Sequence, residues 1–100
     1  MLKELNSDNF NNETKTGLKL VEFFAPWCSY CNKQNQELQQ MDKIWIGQVN
    51  TDNNAEIAIR YGIHSFPTFL VFDNGKEMER FSGFHKKENL MNILMKYLIS

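Results

Sequence analysis

The chain has 100 residues, 42% apolar and 13% aromatic, with 11 basic and 12 acidic side chains and a net charge of −1. That length is one domain, 1–100, large enough to build a core without metal or disulfide staples. The charge balance gives no electrostatic reason to expect nucleic acid or an anionic membrane as partner, and no stretch approaches the ~20 apolar residues that span a bilayer.

At the front, Leu2-Lys3-Glu4-Leu5 is predicted as an edge strand, and Ser7-Asp8 as the cap of a short helix that includes Phe10. The segment Met1 to Asn6 has no apolar signal region, which points to the cytoplasm. Leu18 to Phe24 is mostly apolar and β-prone, the pattern of a central strand covered on both faces. It runs into Ala25-Pro26-Trp27-Cys28, after which the composition turns polar and helix-favouring from Ser29 to about Met41. Cys31, Leu38 and Met41 give that helix a thin apolar face, so its Gln and Asn residues read as a solvated one. Ile44–Val49 is a second long strand, the Asn50–Asn54 cluster a turn, and Ala55 to about Tyr61 a short helix ending at Gly62. Thr68–Phe72 and Lys76–Ser82 are strands joined by the hairpin turn Asp73-Asn74-Gly75. From Lys86 to Ile99, Leu90, Met91, Leu94, Tyr97 and Leu98 fall on one helical face. The order is β-α-β-α-β-α-β-β-α, an α/β chain. Strands joined through helices imply parallel pairs and the hairpin an antiparallel one, giving a mixed sheet with helices on both faces.

The only two cysteines, Cys28 and Cys31, lie three positions apart. As a staple such a pair is poor, because a cross-link stabilises less as the loop it closes shortens. At a strand-to-helix junction the spacing has a chemical consequence instead. Cys28 meets the unpaired N–H groups and dipole of the helix N-terminus, which favour a thiolate, the attacking form. Cys31, one turn further in, is expected to be more buried and less ionised, within reach to resolve a mixed disulfide.

The segment Val21 to Cys31 resembles the active-site segment of the thioredoxin superfamily, and Tyr61 to Thr68 its second signature, in which the proline is cis. Asn74-Gly75-Lys76 and Phe81-Ser82-Gly83 match its later hairpin and the glycine opposite the active site. The resemblance covers nearly the whole chain in order. It implies a thioredoxin fold, with a central mixed sheet of four to five strands, and a thiol–disulfide oxidoreductase that reduces protein disulfides through Cys28 and Cys31. It further implies substrate contacts from Trp27, Tyr30, Phe66, Pro67 and Gly83, and recharging by a flavin- and NADPH-dependent thioredoxin reductase. No bound cofactor or metal is called for, since the cysteine pair carries both electrons; the chain is expected to be a monomer.

Three departures from the family pattern stand out. Ser29-Tyr30 replaces the Gly-Pro of typical thioredoxins, so an oxidase or isomerase stands beside a reductase. The buried carboxylate, usually Asp, is Glu22, and the lysine beside it is Gln48. No proline lies between Asn32 and Met41 to kink the active-site helix. An acid in so apolar a strand is costly unless it has work to do, so Glu22 is read as a buried acid below Cys31 that exchanges its proton.

Two other readings are weaker. An interaction scaffold would not need both cysteines. A zinc site from Cys28, Cys31, His64 and His85 has a His–His gap far from the usual one. His64 is taken as a surface residue near the docking loop, and His85 as a cap or solvated residue.

Overall fold

The computed structural model describes residues 2–99. The elements are β1 (Leu2–Leu5), α1 (Phe10–Thr14), β2 (Leu18–Phe24), α2 (Ser29–Leu38), β3 (Ile46–Asn50), α3 (Ala55–Arg60), β4 (Thr68–Asp73), β5 (Lys76–Ser82) and α4 (Lys87–Leu98). One five-stranded sheet has the order β1-β3-β2-β4-β5. Among the described residues, no helix is long and apolar enough to cross a membrane.

The apolar run of β2 is explained by its central place, with β3 parallel on one side and β4 antiparallel on the other. Alternate residues of the sheet feed two cores. Val21, Phe23, Val49, Leu70 and Phe72 pack with Phe10 of α1 and Ile57 of α3. Leu20, Ile46, Phe69 and Val71 pack with Leu38 of α2 and with Leu90 and Leu94 of α4. Glu22, two residues beyond Leu20, points to this second face, the one α2 covers.

Three local expectations are corrected. The rule that helix-joined strands pair in parallel holds for β1 with β3 and β2 with β3, but β4 runs antiparallel to β2. A helix between strands leaves the direction of return open, and the chain after α3 turns back through residues 61–67. Helix α2 ends at Leu38 rather than Met41, whose N–H closes a last turn on the Leu38 carbonyl. The turn before α1 is tied by Asn6 rather than by Ser7 or Asp8. Its Oδ1 accepts from the N–H groups of Asp8 and Asn9 at 2.8 and 3.0 Å, while Asn9 Oδ1 accepts from Asn6 N–H at 2.8 Å. At the hairpin, Asn74 and Gly75 adopt φ of 51° and 86°, the positive angles the tight turn requires.

Candidate active site

The end of β2 delivers the chain through Ala25 and Trp27 to Cys28, the N-cap of α2, with φ −88° and ψ 114°. An N-cap side chain in this extended conformation turns back over the first helical turn, so Cys28 Sγ accepts from the Cys31 N–H at 3.3 Å. The Cys28 thiol also donates to the Phe66 carbonyl at 3.6 Å. Both cysteines are free thiols. The expected contrast in accessibility is small: Cys28 is 7% and Cys31 4% exposed, because Ala25, Phe24 and Phe66 pack around both. Burial, above all, then the hydrogen bond and charge of Cys28 and the charge of Glu22, push the Cys31 thiol up to about 12, against a lowering by the Ala25 backbone.

Trp27 and Tyr30 project outward, the Trp27 ring 70% exposed. That ring stands edge-on to Phe66 at 5.7 Å, and its Nε1–H donates to Asp52 Oδ1 at 3.4 Å. Phe66-Pro67 is a cis peptide and Pro67 is buried. The Gly83 N–H donates to the Pro67 carbonyl at 2.9 Å, joining the end of β5 to this segment. Gly83 has φ 87° and nothing within 4 Å of where a Cβ would project, so its backbone borders open space.

Glu22 is 1% exposed. Its register partner on β3 is Gln48, whose Nε2 donates to Glu22 Oε1 at 3.0 Å and to Asn35 Oδ1 of α2 at 3.2 Å. Glu22 Oε2 is buried without a hydrogen-bond partner. Burial raises the carboxyl from 4.5 to about 7, and the bond from Gln48 offsets only part of that. A polar cavity of about 260 Å³ lies here, lined by Glu22, Phe24, Cys31, Asn32, Asn35 and Gln48. The buried acid therefore shares one cavity with the inner cysteine, with an amide where the family pattern has a lysine.

The two histidines stay apart from this chemistry. His64 is exposed. His85 is half-buried and does not cap α4: its ring packs against Phe81 at 4.9 Å and its Nδ1 lies 2.8 Å from the Gly83 carbonyl. Among the described residues, no three His, Cys, Asp or Glu side chains gather as a metal site.

Among the polar residues of α2, one departs from the solvated face expected of them. Gln34 is fully buried, its Nε2 donating to the His85 carbonyl at 2.7 Å and its Oε1 accepting from the His85 N–H at 2.8 Å. Glu37 Oε1 accepts from the Lys87 N–H at 2.8 Å, capping α4 from outside, and Lys33 Nζ lies over the Phe84 ring at 4.4 Å. The rest of the face is solvated as expected, with Asn32, Lys33, Gln36, Gln39 and Gln40 exposed, while Gln34 and Glu37 form a polar joint between α2 and residues 84–87. Nothing in the residue types marks it, because Gln, Glu and Lys equally suit a helix facing water.

The family model described as Thioredoxin matches residues 1–96. Thioredoxin of Chlamydia caviae is 36% identical over 98 residues, covering 94% of this chain and 96% of that one. Thioredoxin of Bacillus subtilis is 37% identical over 95 residues, covering 90% and 91%. The crystal structure of Chlamydomonas reinhardtii thioredoxin f2 superposes with a TM-score of 0.87 at 23% identity, covering 97% and 96% of the two chains, and shares the fold. With the family match spanning residues 1–96 and relatives above one-third identity aligned over nine-tenths of their length, the chain belongs to the thioredoxin family and is a thiol–disulfide oxidoreductase.

Proposed function

We propose that the chain reduces disulfides of protein substrates, with Cys28 attacking and Cys31 resolving. The carrying observation is Cys28 Sγ at the start of α2, 3.3 Å from the Cys31 N–H, a donor that favours its negative charge. The Cys28 thiolate attacks one sulfur of the substrate disulfide; the S–S bond breaks and the departing thiolate takes up a proton. Cys31 then gives its proton to Glu22 and attacks Cys28 Sγ, expelling the second substrate thiolate. Two electrons pass to the substrate, and the chain is left with a Cys28–Cys31 disulfide.

The mixed disulfide assists the second step. Two of the causes that hold Cys31 high, its hydrogen bond with Cys28 and the Cys28 charge, vanish once Cys28 is bonded to substrate. Glu22, with its pKa near 7, is poised to take the proton at neutral pH. Docking falls to the rim: Trp27, Tyr30 and Phe66 supply apolar surface, and the backbone beside Pro67 and Gly83 pairs with an extended substrate segment. We assign the chain to a reducing, cytoplasmic setting as a monomer, without a bound cofactor, recharged by a flavin- and NADPH-dependent thioredoxin reductase.

The equilibrium of the cysteine pair against a glutathione series tests the direction. A potential near the about −270 mV characteristic of thioredoxins supports reduction, whereas one near about −120 mV assigns an oxidase. Turnover of a protein disulfide with NADPH and a thioredoxin reductase tests the recharging route, and its absence alongside turnover with glutathione overturns that route.

A further inference from the structure

Two walls frame the cysteine pair, and one buried side chain ties them together. The first wall is α2 itself, which carries Cys31 and, one turn later, Gln34. The second is the backbone of Phe66, Pro67 and Gly83. Gln34 meets the main chain of His85 with both ends of its amide, at 2.7 and 2.8 Å. His85 Nδ1 lies 2.8 Å from the Gly83 carbonyl, and since a carbonyl only accepts, the ring nitrogen donates. Gly83 N–H donates to the Pro67 carbonyl at 2.9 Å, and the Phe66 carbonyl accepts from Cys28. The contacts close a ring running from Cys28 and Cys31 through Gln34, His85, Gly83 and Pro67 back to Phe66 and Cys28.

We infer that Gln34 is a positioning residue for substrate docking, holding the Gly83 wall at a set spacing from the cysteine helix through the His85 main chain. A fully buried amide with donor and acceptor both satisfied by one residue's backbone specifies geometry, which an apolar side chain of the same bulk would not. Loops released from such a pair sample more conformations, and ordering them again on binding weakens affinity. The effect belongs to docking and not to sulfur chemistry, since Gln34 touches neither cysteine among the hydrogen bonds of the site.

This inference rests on the proposed docking role of the Gly83 wall, so the experiment tests the two separately. Steady-state reduction of a protein disulfide and of a small aromatic disulfide is measured for wild type, Gln34→Leu, Gln34→Glu and Gly83→Ala. Gln34→Leu is expected to raise KM for the protein disulfide on the order of five- to tenfold, the scale of ordering one released segment again on binding. Its kcat and its rate with the small disulfide are expected to stay within about twofold of wild type, because among the hydrogen bonds of the site Gln34 makes none to either cysteine and the loss falls on binding alone. Gln34→Glu covers the case in which Gln34→Leu does not fold. A protonated carboxyl both accepts from the His85 N–H and donates to its carbonyl, so KM relative to wild type is expected to be near unity in acid and to climb as the carboxyl ionises. A raised KM with Gly83→Ala and an unchanged one with Gln34→Leu overturns the role of Gln34 alone. Equal slowing of both substrates by Gln34→Leu, or a ratio for Gln34→Glu that is raised and flat with pH, overturns it as well. An unchanged protein KM with Gly83→Ala removes the docking reading, and the inference with it.

Discussion

Replacing Glu22 by Gln is expected to make the reduced protein progressively more stable relative to wild type as the pH rises from acid to alkaline. The folded carboxyl titrates near 7, against an ordinary 4.5. Below 4.5 both the folded and the unfolded chain hold the proton, and the acid costs nothing extra. Between 4.5 and 7 the unfolded chain releases its proton while the folded chain keeps it, so the unfolded state binds fewer protons and stability falls as pH rises. Above 7 both are ionised and the loss is complete. At about 1.4 kcal/mol per tenfold difference in proton affinity, the interval from 4.5 to about 7 corresponds to a loss on the order of 3 kcal/mol. The amide of Glu22→Gln does not titrate and has no such loss. Its oxygen can keep the bond from Gln48, while its NH₂ must find an acceptor in the cavity or lose about 1–3 kcal/mol, an offset independent of pH. Urea denaturation of both reduced proteins from pH 5 to pH 8 isolates the effect by subtraction, because Cys31, near 12, does not titrate in that window. The stability difference is expected to shift in favour of the variant by about 2.5 kcal/mol across the series, since part of the loss has already occurred at pH 5. A difference that stays level would refute the buried-acid reasoning, whatever its absolute size.

Other expected outcomes follow from the same geometry. Cys31→Ser is expected to accumulate mixed disulfides with protein substrates through Cys28, and Cys28→Ser to accumulate none, as mass mapping of trapped complexes would show. Glu37→Ala removes the acceptor for the Lys87 N–H and is expected to destabilise the fold by about 1 kcal/mol, with fraying of α4 visible in amide exchange. Leu90→Ala, at a fully buried core position, is expected to lower stability by about 2–5 kcal/mol in thermal or urea unfolding.

Much of this architecture could be read from residue pattern because the pattern reflects burial. The apolar run of β2, the Asn74-Gly75 turn and the face of α4 built on Leu90 and Leu94 each have one physical cause and one reading. The cysteine pair was legible for the same reason: three residues at a helix start bring Cys31 N–H to Cys28 Sγ. The buried acid was legible because Glu22 interrupts an apolar strand. The remainder depended on partners far along the chain. Gln34 reaches a main chain 51 positions away, and its amide looks the same in sequence whether it meets water or His85. The direction of β4 was hidden because a connecting helix does not fix how the chain returns. Before α1, the side chains of Asn6, Ser7, Asp8 and Asn9 can all accept from main-chain N–H groups, and only the fold shows that Asn6 and Asn9 tie the turn while, among the described residues, no side chain caps the helix.

The substitution of an amide for the family's lysine beside the buried acid sets the working pH of the proposed reaction. A cation at position 48 would favour the ionised carboxylate and pull its pKa down, whereas the Gln48 amide donates one neutral hydrogen bond and leaves desolvation dominant. Glu22 consequently passes from proton donor to proton acceptor near pH 7, so the resolving step under the proposed assignment gains its base as pH rises through that value. Gln48→Lys tests this directly. The introduced ammonium is expected to lower the pKa of Glu22 and shift the acid limb of the resolution rate toward lower pH. The shift is read by single-turnover quenching of a mixed disulfide from about pH 5.5 to about pH 8.5, a span that brackets the Glu22 titration, with the rate at high pH preserved. An acid limb that stays in place in Gln48→Lys, while nuclear magnetic resonance titration shows the Glu22 carboxyl shifted, would mean that another group accepts the Cys31 proton.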